Sequence, residues 1–132
     1  MRDIVMTIRG RHVRNMRLGN KRFELRKNRP ANGGTYRVFL CQSGTGGKIV
    51  GAFTCREWWD MADRPDMEVA MLGCVTAAEV QGYRQDGRLW GWRIEDFEYF
   101  GTGDTNPRHI LDYGLKRSPQ SWCYAKEAGG NG

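Results

Sequence analysis

The chain has 132 residues, of which 39% are hydrophobic and 27% charged, and a formal net charge of +6. That length and balance fit one globular domain with a modest core. No apolar run approaches the ~18 residues of a membrane-spanning helix, and no C-x-x-C pair or His/Cys spacing points to a metal site.

Read in chain order, "DIVMTI" (3–8) is short and β-branched and predicts a strand. "RHVRNMRLG" (11–19) sets Val13, Met16 and Leu18 near one side of a short helix, with Gly19 to stop it. "KRFELRK" (21–27) alternates as a strand, and "RPANGG" (29–34) carries every loop signal. "TYRVFLCQS" (35–43) and "KIVGAFTC" (48–55), joined by "GTGG", predict a hairpin. Gly51 marks a bulge or a close backbone approach within it. Residues 56–73 show no period and read as irregular with helical turns. "TAAEVQGY" (76–83) predicts a helix in which Thr76 and Glu79 form a capping box. "RLWGWRIEDFEYF" (88–100) puts Trp90, Trp92 and Ile94 at period two and predicts one strand with one buried face. A loop follows over 101–107. Pro107 opens a short helix that Gly114 ends. "SPQSWCYA" (118–125) is a last strand and 129–132 a flexible tail, so residues 1–128 form the expected single domain.

Charge is distributed unevenly. Ten of the first 29 residues are Lys or Arg, against only Asp3 and Glu24. This favours an anionic partner such as nucleic acid, or a solvated basic face. No hydrophobic leader opens the chain, and the four cysteines form no motif, so free thiols in a cytoplasmic protein are expected. Cys41 and Cys55 lie in apolar runs and read as small core residues. His12 and His109 sit in no nuclease motif and read as structural or solvated.

The charged strand raises a chemical question. Alternation puts Arg22, Glu24 and Arg26 on one face and Phe23 and Leu25 on the other. Either arginine can clamp Glu24. Lys21 has the wrong parity, but it follows the turn at Gly19-Asn20, and its long stem can reach the same place. The spacing Gly-x-Lys-x-x-Glu-x-Arg (Gly19, Lys21, Glu24, Arg26), straight after a short helix, resembles the signature of the ASCH domain family of PUA-like β-barrels. "MTIRGRHVRNMRLGNK", "VFLCQSGTGGKIVGAF" and "LWGWRIEDFEYF" resemble its opening strand and helix, central hairpin and aromatic strand. "YGLKRSPQSWCYA" resembles the Pro-Gln-Ser-aromatic-Cys-Tyr ending of phage and bacterial members.

The resemblance implies an α+β fold: a PUA-like β-barrel of about six strands with two or three short helices. It also implies a cleft in which Lys21, Glu24 and Arg26 are the catalytic candidates. Thr7, Arg9, Ser43, Gln120, Ser121 and Trp122 line it as substrate-binding candidates, with no metal or cofactor. Two functions stay open. One is hydrolysis of the acyl amide of N4-acylated cytidine or a related nucleoside, as in small ASCH amidohydrolases. Glu24 stands where that subgroup carries its threonine nucleophile, so Lys21 becomes the base, Glu24 orients water or shuttles its proton to the leaving amine, and Arg26 polarises the acyl oxygen or holds Glu24 in place. The other is an RNA-binding module, with or without cleavage, that recognises a modified or flipped base. There the basic N-terminal third meets phosphates and Trp90, Trp92 or Trp122 stacks a ring. Monomer and homodimer remain equally open.

Overall fold

The computed structural model describes residues 2–101 and 108–126. Residues 102–107 of the expected 101–107 loop, with the helix start at Pro107, and the tail lie outside the described residues. The elements are β1 (Ile4–Ile8), α1 (Gly10–Arg17), β2 (Phe23–Arg26), β3 (Tyr36–Gln42), β4 (Lys48–Cys55), β5 (Trp58–Asp60), α2 (Asp66–Gly73), α3 (Ala77–Tyr83), β6 (Trp90–Arg93), β7 (Glu95–Tyr99), β8 (Arg108–His109), a 3-10 turn (Ile110–Tyr113) and β9 (Trp122–Tyr124).

The strands form two sheets. The larger runs β7-β4-β3-β1-β9, with β8 also on β4, and the smaller runs β2-β6-β5. β1 pairs parallel to β3 and antiparallel to β9. The fold is therefore mixed α+β, as expected, but the expected closed barrel is instead two sheets. Between β2 and the β1/β9 pair stands a side chain rather than a ladder: Arg26 donates to the backbone oxygens of Thr7 and Ser121.

Alternation along each strand distributes three apolar clusters. Ile4, Met6, Ile8, Val38, Leu40 and Phe53 of the large sheet meet Val13 and Met16 of α1 and Trp92 of the small sheet. Phe23 and Leu25 turn the opposite way, against Val69 and Ala70 of α2 and Val80 of α3. Val5, Cys41 and Ile49 pack under Ile110 and Leu115. Cys41 and Cys55 are buried as expected, and burial pushes the Cys55 thiol up to about 12.

Most boundaries follow the sequence pattern. α1 ends at Gly19, whose φ of 77° suits the left-handed turn that re-aims the chain toward β2. Leu18, though, is exposed rather than on the buried side. The 35–55 hairpin forms, and its register slips between Leu40 and Cys41. Gly51 sits at that bulge and also allows close approach, since a Cβ there would lie 2.7 Å from the Glu98 carbonyl oxygen. The Thr76–Glu79 capping box is present at α3.

Four segments differ from expectation. Over 108–113 the expected short helix is β8 followed by the 3-10 turn. Residues 56–73 hold β5 and α2. α2 exposes Met67 and Met71 while burying Val69 and Ala70, so its apolar residues surround the helix and leave no period to read. The expected single strand over 88–100 is two. β6 belongs to the small sheet and β7 to the large one, and the chain crosses over at Ile94, near Asp96 with its φ of 49°. Trp92 is fully buried, but Trp90 and Ile94 are only half-buried. The last strand is confined to Trp122–Tyr124.

Candidate functional site: a buried charge cluster behind an arginine-rimmed cavity

β2 faces two ways. Phe23 and Leu25 point to the helices. Glu24 and Arg26 point to the seam between the sheets, where Glu24 lies directly across from Trp92 in the β2–β6 ladder. The charged face of this strand is therefore an inner one. The buried polar or charged residues among those described are His12, Lys21 and Glu24, and electrostatic coupling among the three is direct.

Glu24 sits between two cations. Lys21 Nζ lies 3.2 Å from its Oε1, and Arg26 Nη2 lies 2.8 Å from its Oε2. Lys21 reaches this point because the Gly19 turn brings it under α2. There its ammonium also donates to the Gly73 carbonyl oxygen, at the negative end of that helix. Arg26 donates through Nε to Glu24, through Nη1 to Ser121 O and Oγ, and through Nη2 to Thr7 O. Nη2 also lies 2.8 Å from Glu24 Oε2, so every guanidinium nitrogen has a partner. Burial alone would raise the Glu24 carboxyl, but Lys21 and then Arg26 outweigh it and lower its pKa to about 2. Glu24 is a fixed carboxylate.

In front of this cluster opens a cavity of about 520 Å³. β1 contributes Thr7, α1 contributes Arg11 and His12, β2 contributes Glu24, and α3 contributes Glu79 and Tyr83. Arg9, Ser43, Arg26 and Gln120 also line it. Of the sequence candidates, the structure thus brings together Thr7, Arg9, Ser43, Glu24, Arg26 and Gln120. Ser121 supports Arg26 from outside the lining. Lys21 is sealed behind Glu24. Trp122 lies elsewhere, its ring 5.2 Å from that of Trp92. Both candidate hydroxyls donate to backbone carbonyls, Thr7 to Pro119 at 2.6 Å and Ser43 to Ile8 at 3.1 Å.

Three polar lining residues, His12, Glu79 and Tyr83, escaped the sequence reading, whereas Arg11 belongs to the basic N-terminal third expected to meet phosphates. Arg11 pairs with Glu79 across the cavity mouth, and Tyr83 donates to the same carboxylate at 3.3 Å. The Arg11 guanidinium, then the Thr76 N–H, hold Glu79 down to about 2. His12 is buried on the inner side of α1. Burial, then the Lys21 cation, lower its pKa to about 4 despite Glu24, so its imidazole is neutral. Only the capping-box Glu79 had a local signal, and that signal spoke of a helix end. His109 is structural: it caps the 3-10 turn and bonds Gly46 O at 2.7 Å.

No protein-family model matches the sequence, and no curated protein does. Solved structures do match. The ASCH protein from Zymomonas mobilis superposes at a TM-score of 0.75 and 11% identity, over 95% of this chain and 88% of that one. Two single-substitution variants of that protein match at TM-scores of 0.76 and 0.72, with 10% and 12% identity, over 96–97% of this chain and 90–93% of theirs. The chain has the ASCH fold. At this identity the likeness speaks for architecture, so what this ASCH-fold cavity does rests on its own residues. Among the described residues, no helix is long and apolar enough to cross a membrane.

Proposed function

We propose that the protein is an RNA-recognition module whose cavity receives one unpaired nucleobase while the arginines around it meet the flanking phosphates. The observation that carries this reading is a cavity lined by buried His12 and by Glu24, which Lys21 and Arg26 lock as a hydrogen-bond acceptor. A locked carboxylate suits recognition better than proton transfer, because a group with a pKa near 2 is a weak base at neutral pH. Lys21 is committed to Glu24 and Gly73 O, away from the cavity lining. Arg26 is committed to Glu24 and to tying β2 to Thr7 and Ser121. A few placed polar groups in a concave site are what a ligand-orienting pocket requires.

The surroundings supply the sequence-independent part. Arg9 is exposed at the start of α1, and Arg11, Arg14 and Arg17 follow at three-residue steps on its exposed side, Arg17 stacked over the Tyr99 ring. Such a row tracks a phosphate backbone. Binding of short single-stranded RNA, followed by fluorescence anisotropy at graded salt, tests the reading. Affinity should fall steeply with salt, in proportion to the phosphates neutralised. Salt-insensitive or absent binding overturns it.

Hydrolysis of an N4-acyl amide on cytidine is the second reading. What favours it is the ammonium, carboxylate and guanidinium already assembled beside the cavity and largely withheld from water. Its test is absorbance during incubation with N4-acetylcytidine. Turnover that is indifferent to salt and abolished by Lys21→Ala in a folded protein would put hydrolysis first.

A further inference from the structure

Among the described residues, two buried side-chain polar atoms have no hydrogen-bond partner: His12 Nδ1 and Trp58 Nε1. Trp58 is wedged edge-on between Tyr36 and Trp92, away from the cavity. His12 lines the cavity together with Glu24 and is only 8% exposed. Leaving a buried polar atom unbonded is costly, and such groups are rare in folded proteins. An apolar ring of the same shape would serve the α1 packing better. The unbonded nitrogen is explained if a ligand completes it.

The geometry points to His12 and Glu24 as a two-point reader of the Watson–Crick edge of an amino-bearing nucleobase, with uracil rejected. This rests on the RNA-recognition reading above and adds what is recognised. Glu24 can only accept hydrogen bonds, so the ligand edge that faces it must bring N–H groups. Cytosine, adenine and guanine each carry an exocyclic amine on that edge. Uracil carries one N–H between two carbonyl oxygens, and those oxygens would be pressed toward a carboxylate. A neutral imidazole has one donor and one acceptor, and Nδ1 has no protein partner to fix the tautomer. It can donate to the ring nitrogen of cytosine or adenine, or accept from the ring N–H of guanine. The low pKa of His12 agrees, because an imidazolium beside Lys21, Arg11 and Arg26 would be repelled and could not accept.

The test is fluorescence anisotropy at low salt with short labelled oligo(C), oligo(A) and oligo(U) RNAs. It uses the wild type, His12→Phe and His12→Asn, with a thermal melt for each. The wild type should bind oligo(C) or oligo(A) about tenfold tighter than oligo(U), the size of one hydrogen-bonded contact. His12→Phe should shrink that preference to about threefold or less, the part Glu24 alone supplies, with the salt slope unchanged. His12→Asn, which keeps a donor and an acceptor, should retain part of the preference. It carries the test alone if the Phe variant does not fold. Equal affinity for all three oligomers in the wild type, or wild-type preference in His12→Phe, overturns the two-point reader and leaves RNA recognition standing. No binding of any oligomer overturns the RNA reading itself.

Discussion

Two three-residue ionic clusters in this protein, one with two cations about a carboxylate and one with two carboxylates about a guanidinium, are held at nearly the same distances. Lys21, Glu24 and Arg26 meet at 2.8–3.2 Å with side chains 1%, 6% and 14% exposed. Arg56, Glu95 and Asp96 meet at 3.0 and 3.4 Å with side chains 48%, 32% and 68% exposed. Distance does not separate them, but water does. Around Arg56 each charge keeps most of its hydration and its attraction is screened. Around Glu24 the charges have lost their hydration, and each depends on the others and on backbone carbonyls. The first cluster can be altered with little consequence, whereas the second constrains both the fold and the cavity in front of it.

The sharpest way to break the comparison is to remove one buried charge. Lys21→Met keeps the stem but leaves Glu24 with one cation and Gly73 O without its donor. A loss of about 3–5 kcal/mol is expected by chemical denaturation, the usual size for orphaning a buried partner. Adding Glu24→Leu removes the orphan and should recover at least half of that loss, since Arg26 keeps Thr7 O and Ser121. A double variant as unstable as the single one would mean that the Lys21–Gly73 bond, rather than charge pairing, holds α2 in place.

Acid should act most strongly on the buried cluster, because solvent screens what the more exposed Glu79 contributes. Glu24 titrates near 2 in the folded protein against 4.5 unfolded, so the stability it contributes is present above about pH 4.5 and disappears as pH falls toward 2. His12 titrates near 4 against 6.5. The unfolded chain therefore binds its proton first, and stability falls as pH drops from about 6.5 to 4. Each contribution is of order 3 kcal/mol. Melting temperature measured from pH 7 to 3 should fall in two stages, and His12→Phe should erase the upper one. A single stage below pH 4.5 in the wild type would show that His12 is not held neutral.

The same contrast explains what the sequence could and could not convey. Strand alternation put Glu24 and Arg26 together because period two is a property of the backbone. It could not say that this face is inner, because that depends on Trp92 crossing from 68 residues away in the chain. The 35–55 hairpin and the Thr76 cap were readable since their signals are local. α2 was not, because its buried and exposed sides are both apolar. His12 looked like any lone histidine. Its importance comes from α1 being laid over β2 and α3, which no spacing in the sequence records. Residues 88–100 read as one strand because the side-chain period is unbroken across a bend that the chain makes between two sheets.

Between the extremes lies Arg11–Glu79, half in water at the cavity mouth. Glu79 keeps its capping bonds to Thr76 when Arg11 is removed. Arg11→Ala should therefore cost no more than ~1 kcal/mol of stability. RNA affinity should respond more, with the salt slope shrinking by about 1, as for the loss of one phosphate contact. An unchanged slope would assign Arg11 to the Glu79 pair and leave phosphate contact to Arg9 and Arg14.

The smallest effect is expected at the exposed cluster, and there the comparison is most exposed to failure. Arg56→Ala breaks two ion pairs at once, yet it should shift stability by less than ~0.5 kcal/mol, because both carboxylates return to water. Adding salt should change the wild type and the variant alike. One feature could defeat this. Glu95 and Asp96 sit where the chain leaves the small sheet for the large one, and Asp96 holds a left-handed φ of 49° that costs a non-glycine residue energy. If Arg56 pins that crossover, its loss will approach the cost of Lys21→Met and will persist in high salt. In that case backbone strain, rather than burial, separates the consequential ion pairs of this protein from the inert ones.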